Sequence, residues 1–300
     1  MYTITPVPNN SNELDYLEIT NSSQSTFAKI YVNLGASLQE LKLQGKTLIE
    51  DLHPLTYDNT YASSILFPFV NRIKDGTYQF EGNTYQFQIN EIDRNNAIHG
   101  LVYNKTFQII DQQTSEDFAS VKLLYTEENE SVGFPYTYAI QIEYILKDDA
   151  LDINVEVTNT DSKPFPFNIG WHPYFICKDL HNSYLKFDCD KKTVFDARCI
   201  TTDVVAIDID SKSGFKIEDR MLDDCYILNS GNTLFTTPEY TLELKASSKE
   251  NFLQIYMPPR ANTVAIEPTT GVADSFNNKM GLQTLKPNET HQVTWNVNML

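Results

Sequence analysis

Two histidines and one glutamate stand out as side chains placed to move protons. His99 sits in Asn95-Asn96-Ala97-Ile98-His99-Gly100, where the glycine permits close backbone approach or a positive φ. His172 sits in Asn168-Ile169-Gly170-Trp171-His172-Pro173-Tyr174-Phe175, a titratable ring among large aromatics. Such surroundings suit a pocket wall, where an imidazole is tuned for proton transfer near neutral pH. They suit equally a core or loop histidine satisfied by backbone carbonyls, and both readings stand. Glu267 follows the apolar run Val264-Ala265-Ile266 and precedes Pro268-Thr269-Thr270-Gly271. A carboxyl at the end of a buried strand is desolvated, which raises its pKa and favours a functional reading. Arg72 follows Ile65-Leu66-Phe67-Pro68-Phe69-Val70-Asn71, and a guanidinium there needs partners. It either snorkels at a strand end or clamps substrate oxygens. His53, His181 and His291 lie in polar, turn-like contexts and are expected on the solvated surface, as are Glu127, Glu128 and Glu130.

These residues are far apart along the chain, so the fold must bring them together. The 300 residues are 41% hydrophobic with 11 Gly and 13 Pro, which excludes a collagen-like, low-complexity or disordered chain. The aromatic share of 12% leans towards sheet, because flat rings fit a pleated, half-buried surface. Period-2 alternation recurs: Tyr138, Ile140, Ile142 and Tyr144, then Leu151, Ile153, Val155 and Val157, turning at Lys147-Asp148-Asp149. The pair predicts an antiparallel hairpin with one apolar face. Tyr78 and Phe80 with Tyr85, Phe87 and Ile89 predict a second around Glu81-Gly82-Asn83-Thr84, and Leu242, Leu244, Phe252 and Ile255 suggest a third. Leu34 to Leu48 reads as strand and turn, and Glu218 to Leu228 as the place for a short turn of helix. Many short strands, with no repeat, linker or composition shift, predict one large all-β domain over residues 1–300, an antiparallel sandwich or barrel.

Charge narrows the partners. Lys plus Arg is 23 against 40 for Asp plus Glu, a net of −17, and such a surface repels phosphate backbones and anionic lipid. Neither nucleic acid nor a membrane is expected as a partner. The first residues show no basic start or apolar run, and no stretch approaches the roughly 18 apolar residues a membrane helix needs. Cys177, Cys189, Cys199 and Cys225 form no CxxC pair, so reduced thiols in a cytoplasmic protein are expected.

In order along the chain, five fragments resemble the aldose 1-epimerase (galactose mutarotase) family. They are Phe67-Pro68-Phe69-Val70-Asn71-Arg72-Ile73 with Asp75-Gly76, then Ile98-His99-Gly100, Gly133-Phe134-Pro135, Gly170-Trp171-His172-Pro173-Tyr174-Phe175 and Ile266-Glu267-Pro268-Thr269. The likeness runs from about Asn33 to the Val293-Thr294-Trp295 strand. It implies a large antiparallel β-sandwich of the supersandwich type, with an open cleft for a pyranose. It also implies roles: Glu267 as general base on the C1 hydroxyl, His172 as general acid on the ring oxygen, and His99 supporting that step. Arg72, with Asn71, and an Asp placed at Asp224 in Leu222-Asp223-Asp224-Cys225-Tyr226 would bind sugar hydroxyls; Asp223 is the adjacent alternative. The ring opens to the aldehyde, the C1–C2 bond rotates, and the reverse steps close the other anomer.

Mutarotation needs a base on one oxygen and an acid on another, and a carboxylate and an imidazole on opposite sides of a ring supply both without metal or cofactor. Trp171, Tyr174 and Phe276 are candidates for an apolar sugar face, or core residues. The best-known galactose mutarotases often carry a second Arg just before the Arg72 position, where this chain has Pro68 and Phe69. That departure, with Leu101-Val102-Tyr103-Asn104-Lys105 after Gly100, resembles a broader branch in which some relatives act on hexose 6-phosphates. The expected function is therefore a hexose 1-epimerase, with two alternatives: a hexose-6-phosphate 1-epimerase using Lys74, Arg94 or Lys105, or a non-catalytic carbohydrate-binding domain. A two-His-one-carboxylate metal site from His99, His172 and Glu267 is a further reading, which their wide spacing disfavours.

Overall fold

Alternating apolar and polar residues become alternating buried and half-buried positions in the strands Tyr138–Lys147 and Ala150–Asn159. They pair antiparallel with Tyr144 opposite Ile153 and Ile142 opposite Val155, so one face is apolar along its whole length. The computed structural model describes residues 1–11, 14–129, 131–249 and 251–300. Around this hairpin is built a fifteen-stranded sheet; its path runs from Gln108–Thr114 through the hairpin to Thr290–Met299, Thr241–Ala246, Asp223–Thr236, Phe252–Tyr256 and Thr263–Thr269, and ends at Gly170–Trp171 and Ile65–Leu66. Tyr2–Pro8, Leu14–Asn21, Phe27–Tyr31, Ser37–Leu43 and Lys46–Ile49 form a five-stranded antiparallel meander.

The apolar faces meet in a contiguous core. Leu17, Ile30 and Leu38 of the meander belong to the same buried cluster as Ile142, Tyr144, Ile153, Val155 and Trp295 of the large sheet. Each such side chain removed from water contributes roughly 1.5–3 kcal/mol. The Tyr144 hydroxyl, buried between the sheets, donates to the Ala36 carbonyl at 2.8 Å. The architecture is the expected antiparallel β-sandwich. Helix is confined, among the described residues, to Tyr57–Thr60, Ser275–Asn278 and the 3-10 turn Ile92–Arg94.

The first two predicted hairpins form, the second as Thr77–Phe80 with Asn83–Gln86. The third does not. Thr241–Ala246 and Phe252–Tyr256 both pair with the fourteen-residue strand Asp223–Thr236, one at each of its ends, rather than with each other. That same strand begins inside Glu218–Leu228, where a helical turn was expected; residues 218–219 form a turn instead. Leu34 to Leu48 is strand and turn, as read. Glu127 is not a solvated acid: it is 6% exposed and takes Lys105 Nζ at 3.2 Å, the Tyr125 hydroxyl at 2.7 Å and the Ser131 hydroxyl at 3.0 Å. Glu128 is exposed, and Glu130 lies outside the described residues. His53 and His181 are at the surface, whereas His291 is half-buried against the Phe167 ring. All four cysteines are free thiols, and among the described residues no helix is long and apolar enough to cross a membrane.

Candidate active site

Register decides which side chains reach the site. Glu267 stands directly opposite Gln254, and Gln254 opposite Cys225, so these three share a face of the large sheet. Asp223 is two residues from Cys225 and shares that face; Asp224, one residue away, points to the other. The contacts agree. Asp223 Oδ1 accepts from Gln254 Nε2 at 3.0 Å, while Asp224 pairs with Lys192 Nζ at 2.9 Å and meets the Tyr226 hydroxyl at 3.4 Å. The structure therefore does not bring Asp224 to the site. Asp223 stands there in its place.

Two loops supply the opposite wall. Gly100 lies at φ +76°, and a Cβ on it would come within 2.2 Å of the Phe67 carbonyl oxygen, so both reasons for a glycine apply. This close approach lets Leu101 N–H donate to the Phe67 carbonyl at 2.7 Å and His99 N–H to the Asn71 carbonyl at 2.8 Å. Ile98 pairs with Arg72 in a short ladder, which fixes His99, Asn71 and Arg72 as one unit. His99 and Asn71 both hold left-handed backbone, at φ 64° and 51°, a strain that packed surroundings must support. His172 enters from the short strand Gly170–Trp171, its N–H donating to the Ser64 carbonyl at 3.0 Å.

Together these elements enclose a cleft of about 320 Å³, within the range of small-ligand sites. Its wall includes Asn71, Arg72, His99, His172, Asp223, Gln254 and Glu267, with Tyr61, Glu91 and Arg94 towards one side. At its floor His172 Nε2 lies 3.5 Å from Glu267 Oε1, and both side chains are about 95% buried. The two groups thus sit side by side, not on opposite sides of a ring as expected.

Burial raises the Glu267 carboxyl well above its ordinary value; the Asp223 charge adds to this and Arg72 offsets part of it. Desolvation pushes His172 down to about 3, its own backbone hydrogen bond opposing and Arg72 reinforcing the fall. His99 is lowered well below the usual imidazole range, again chiefly by burial, then by His172 and Arg72. Each member of the Glu267–His172 pair alone favours its neutral form, so burial biases the pair towards a protonated carboxyl beside a neutral imidazole. Among the described residues the Nδ1 atoms of His99 and His172 have no hydrogen-bond partner, which buried polar atoms in idle positions seldom lack. The rings of His172, His99 and Tyr61 contact in sequence, with centroids 4.9 and 4.7 Å apart, and Tyr174 stacks on His172.

Arg72 is not free at the wall. Glu91 takes its Nε at 2.9 Å and its Nη2 at 2.9 Å, leaving Nη1 to donate to Asn71 Oδ1 at 3.0 Å. Asn71 Nδ2 in turn reaches Gln254 Oε1 at 3.4 Å. Glu91 carried no sequence signal, since Ile89-Asn90-Glu91-Ile92-Asp93-Arg94 reads as a polar loop. Gln254 did carry one, as the polar member of the apolar run Phe252-Leu253-Gln254-Ile255. Trp171 and Phe276 are fully buried core residues, and of the three aromatics proposed as a sugar face Tyr174 alone reaches the cleft. Of Lys74, Arg94 and Lys105, Arg94 alone lines it. No group of three or more His, Cys, Asp or Glu among the described residues is arranged to hold a metal ion.

Comparison with known proteins assigns the family and the fold. The aldose 1-epimerase family model matches residues 16–298. An uncharacterized Escherichia coli K12 protein, YihR, is 27% identical over 278 residues, covering 89% of this chain and 88% of its own. Among solved structures, a galactose mutarotase-like protein from Clostridium acetobutylicum superposes with a TM-score of 0.87 at 23% identity, over 99% of this chain and 98% of that one. Galactose 1-epimerase from Lactobacillus acidophilus superposes with a TM-score of 0.82 at 18% identity, over 100% and 98%. Matched by that family's model over nearly its whole length, this β-sandwich belongs to the aldose 1-epimerase family.

Proposed function

We propose that the protein is a 1-epimerase of an uncharged hexose, with Glu267 and His172 as its proton-transfer pair. The observation that carries this is the buried carboxyl and imidazole 3.5 Å apart at the floor of a polar cleft. The proton of the resting pair sits on Glu267 and passes to His172 across the 3.5 Å contact; the Glu267 carboxylate then takes the proton from the C1 hydroxyl while the His172 imidazolium delivers its own to the ring oxygen, and the C1–O5 bond breaks. The open aldehyde turns about C1–C2, and the reverse transfers close the ring on the other face. Ring opening and closing each move one proton in and one out, so the pair must hold a single proton throughout. Burial favours that occupancy. His99 supports the transfer from beside His172, and Asn71, Arg72 and Asp223 hold sugar hydroxyls. A non-catalytic sugar-binding domain has no use for an acid–base pair kept dry at this cost.

Uncharged substrates follow from the wall's electrostatics. Asp58, Glu91, Asp223 and Glu267 line the cleft against Arg72 and Arg94, so a sugar phosphate would enter a site with more carboxyls than cations. The test is exchange NMR between the anomeric protons of glucose and of galactose at equilibrium, with catalytic amounts of protein. Exchange faster than the buffer rate for either sugar is expected. Exchange at the buffer rate for both sugars, with a folded protein, would sink the reading.

A further inference from the structure

The cleft's two cations converge on one carboxylate. Glu91 Oε1 accepts from Arg72 Nη2 at 2.9 Å and from Arg94 Nη1 at 2.9 Å, and Oε2 accepts from Arg72 Nε at 2.9 Å and from Asn96 Nδ2 at 2.9 Å. Its main chain is tied too, exchanging both backbone hydrogen bonds with Asn96. Glu91 and Arg72 side chains are 14% and 16% exposed, whereas Arg94 is 45% exposed at the rim. Bidentate pairing of this kind occupies the edge of a guanidinium that would otherwise grip a phosphate or carboxylate. We propose that Glu91 is a specificity residue: by occupying Arg72 and Arg94 together it denies anionic sugars a binding site and presents Arg72 to neutral hydroxyls through Nη1.

The inference rests on the reading of the cleft as a hexose site, and deepens it. Asn71 Oδ1 already receives Nη1, so the arginine faces the sugar as part of the chain Glu91–Arg72–Asn71–Gln254–Asp223, held in one orientation at both ends. Without the Glu91 charge, two guanidinium groups would face the cleft unpaired, the arrangement that phosphate monoesters recognise.

The experiment compares wild type, Glu91→Gln and Glu91→Asp in two readouts. The first is thermal melting in inorganic phosphate against sodium chloride at equal ionic strength. Glu91→Gln is expected to show saturable stabilisation by phosphate, half-maximal at a concentration at least tenfold below that of wild type. The second is kcat/KM for glucose 6-phosphate relative to glucose, expected to rise at least tenfold in Glu91→Gln. Glu91→Asp keeps the charge, so its ratio should stay within threefold of wild type even where its absolute rate falls. A merely structural role would lower both sugars together and leave the ratio alone. An unaltered phosphate response and ratio in Glu91→Gln, or an equal shift in Glu91→Asp, overturns the proposal. Should Glu91→Gln fail to fold, Arg94→Gln gives the opposite sign: the ratio falls at least threefold, and no fall overturns it. A wild type inactive on both sugars refutes the epimerase reading instead, and the phosphate melts still decide whether Glu91 blocks anions.

Discussion

Replacing Glu267 with glutamine tests the acid–base pair with little change of shape. The amide keeps the side chain's size opposite Gln254 but cannot accept the C1 hydroxyl proton near neutral pH. A positioned base contributes about 10²–10⁴-fold, or roughly 3–5 kcal/mol of barrier at about 1.4 kcal/mol per decade. His172→Asn should cost the same order, because in the proposed mechanism the two groups, 3.5 Å apart, work through a single shared proton. The double variant is then the informative one. Independent contributions would multiply to about 10⁴–10⁸, whereas partners in one transfer leave the double variant within about tenfold of the worse single. The assay is optical rotation of freshly dissolved α-D-glucose and α-D-galactose, with thermal melts alongside to establish folding. The melts carry their own expectation. The folded-state pKa of Glu267 lies above its unfolded value, so its contribution is present below the unfolded pKa and is lost as pH rises through the folded one. At pH 8 glutamine should therefore raise Tm, by on the order of 2 °C. A Glu267→Gln protein that melts normally and keeps more than a tenth of the wild-type acceleration would refute the reasoning, as would a multiplicative loss in the double variant.

Asp223→Asn should lower kcat/KM about 10- to 100-fold, the worth of a charge-assisted hydrogen bond, while Asp224→Asn stays within threefold because its partner is Lys192 on the other face. Equal losses in the two steady-state assays would count against the register. His172 is expected to keep the ¹⁵N shifts of a neutral imidazole between pH 5.5 and 8; a midpoint near 6.5 would show a solvated ring. Its folded pKa of about 3 lies below the unfolded value, so its contribution to stability is lost as pH falls from about 6.5 towards 3. Denaturant midpoints of His172→Asn should accordingly fall less steeply over that window than those of wild type. Gly100→Ala places a Cβ 2.2 Å from the Phe67 carbonyl oxygen at φ +76°, and should cost about 2–5 kcal/mol in urea unfolding. A cost under about 1 kcal/mol would show that the loop yields, and the fixed placement of His99 and Asn71 would lose its basis.

What the sequence made legible follows from what burial costs. Glu267 and His172 were visible because ionisable groups among Val264, Ala265, Ile266, Trp171 and Tyr174 contradict their neighbours, and a contradiction of that kind is kept for a reason. The strands Tyr138–Lys147 and Ala150–Asn159 were visible because their partners are adjacent and the turn between them is short. Pairing across distance left no such trace. Asp223–Thr236 inserts between Thr241–Ala246 and Phe252–Tyr256, and alternation within each segment carries no information on which strand lies beside it. The choice between Asp223 and Asp224 failed for the same reason, since both satisfy the local pattern and only the opposition of Gln254 to Cys225 assigns one of them to the cleft. Glu91 is the extreme case. Its loop is polar on both sides, so nothing local distinguishes a solvated carboxylate from one that holds two arginines at a binding wall. A polar residue in an apolar segment declares itself, because the segment alone shows that it is buried; a polar residue in a polar loop is assigned by the partners that the fold brings to it.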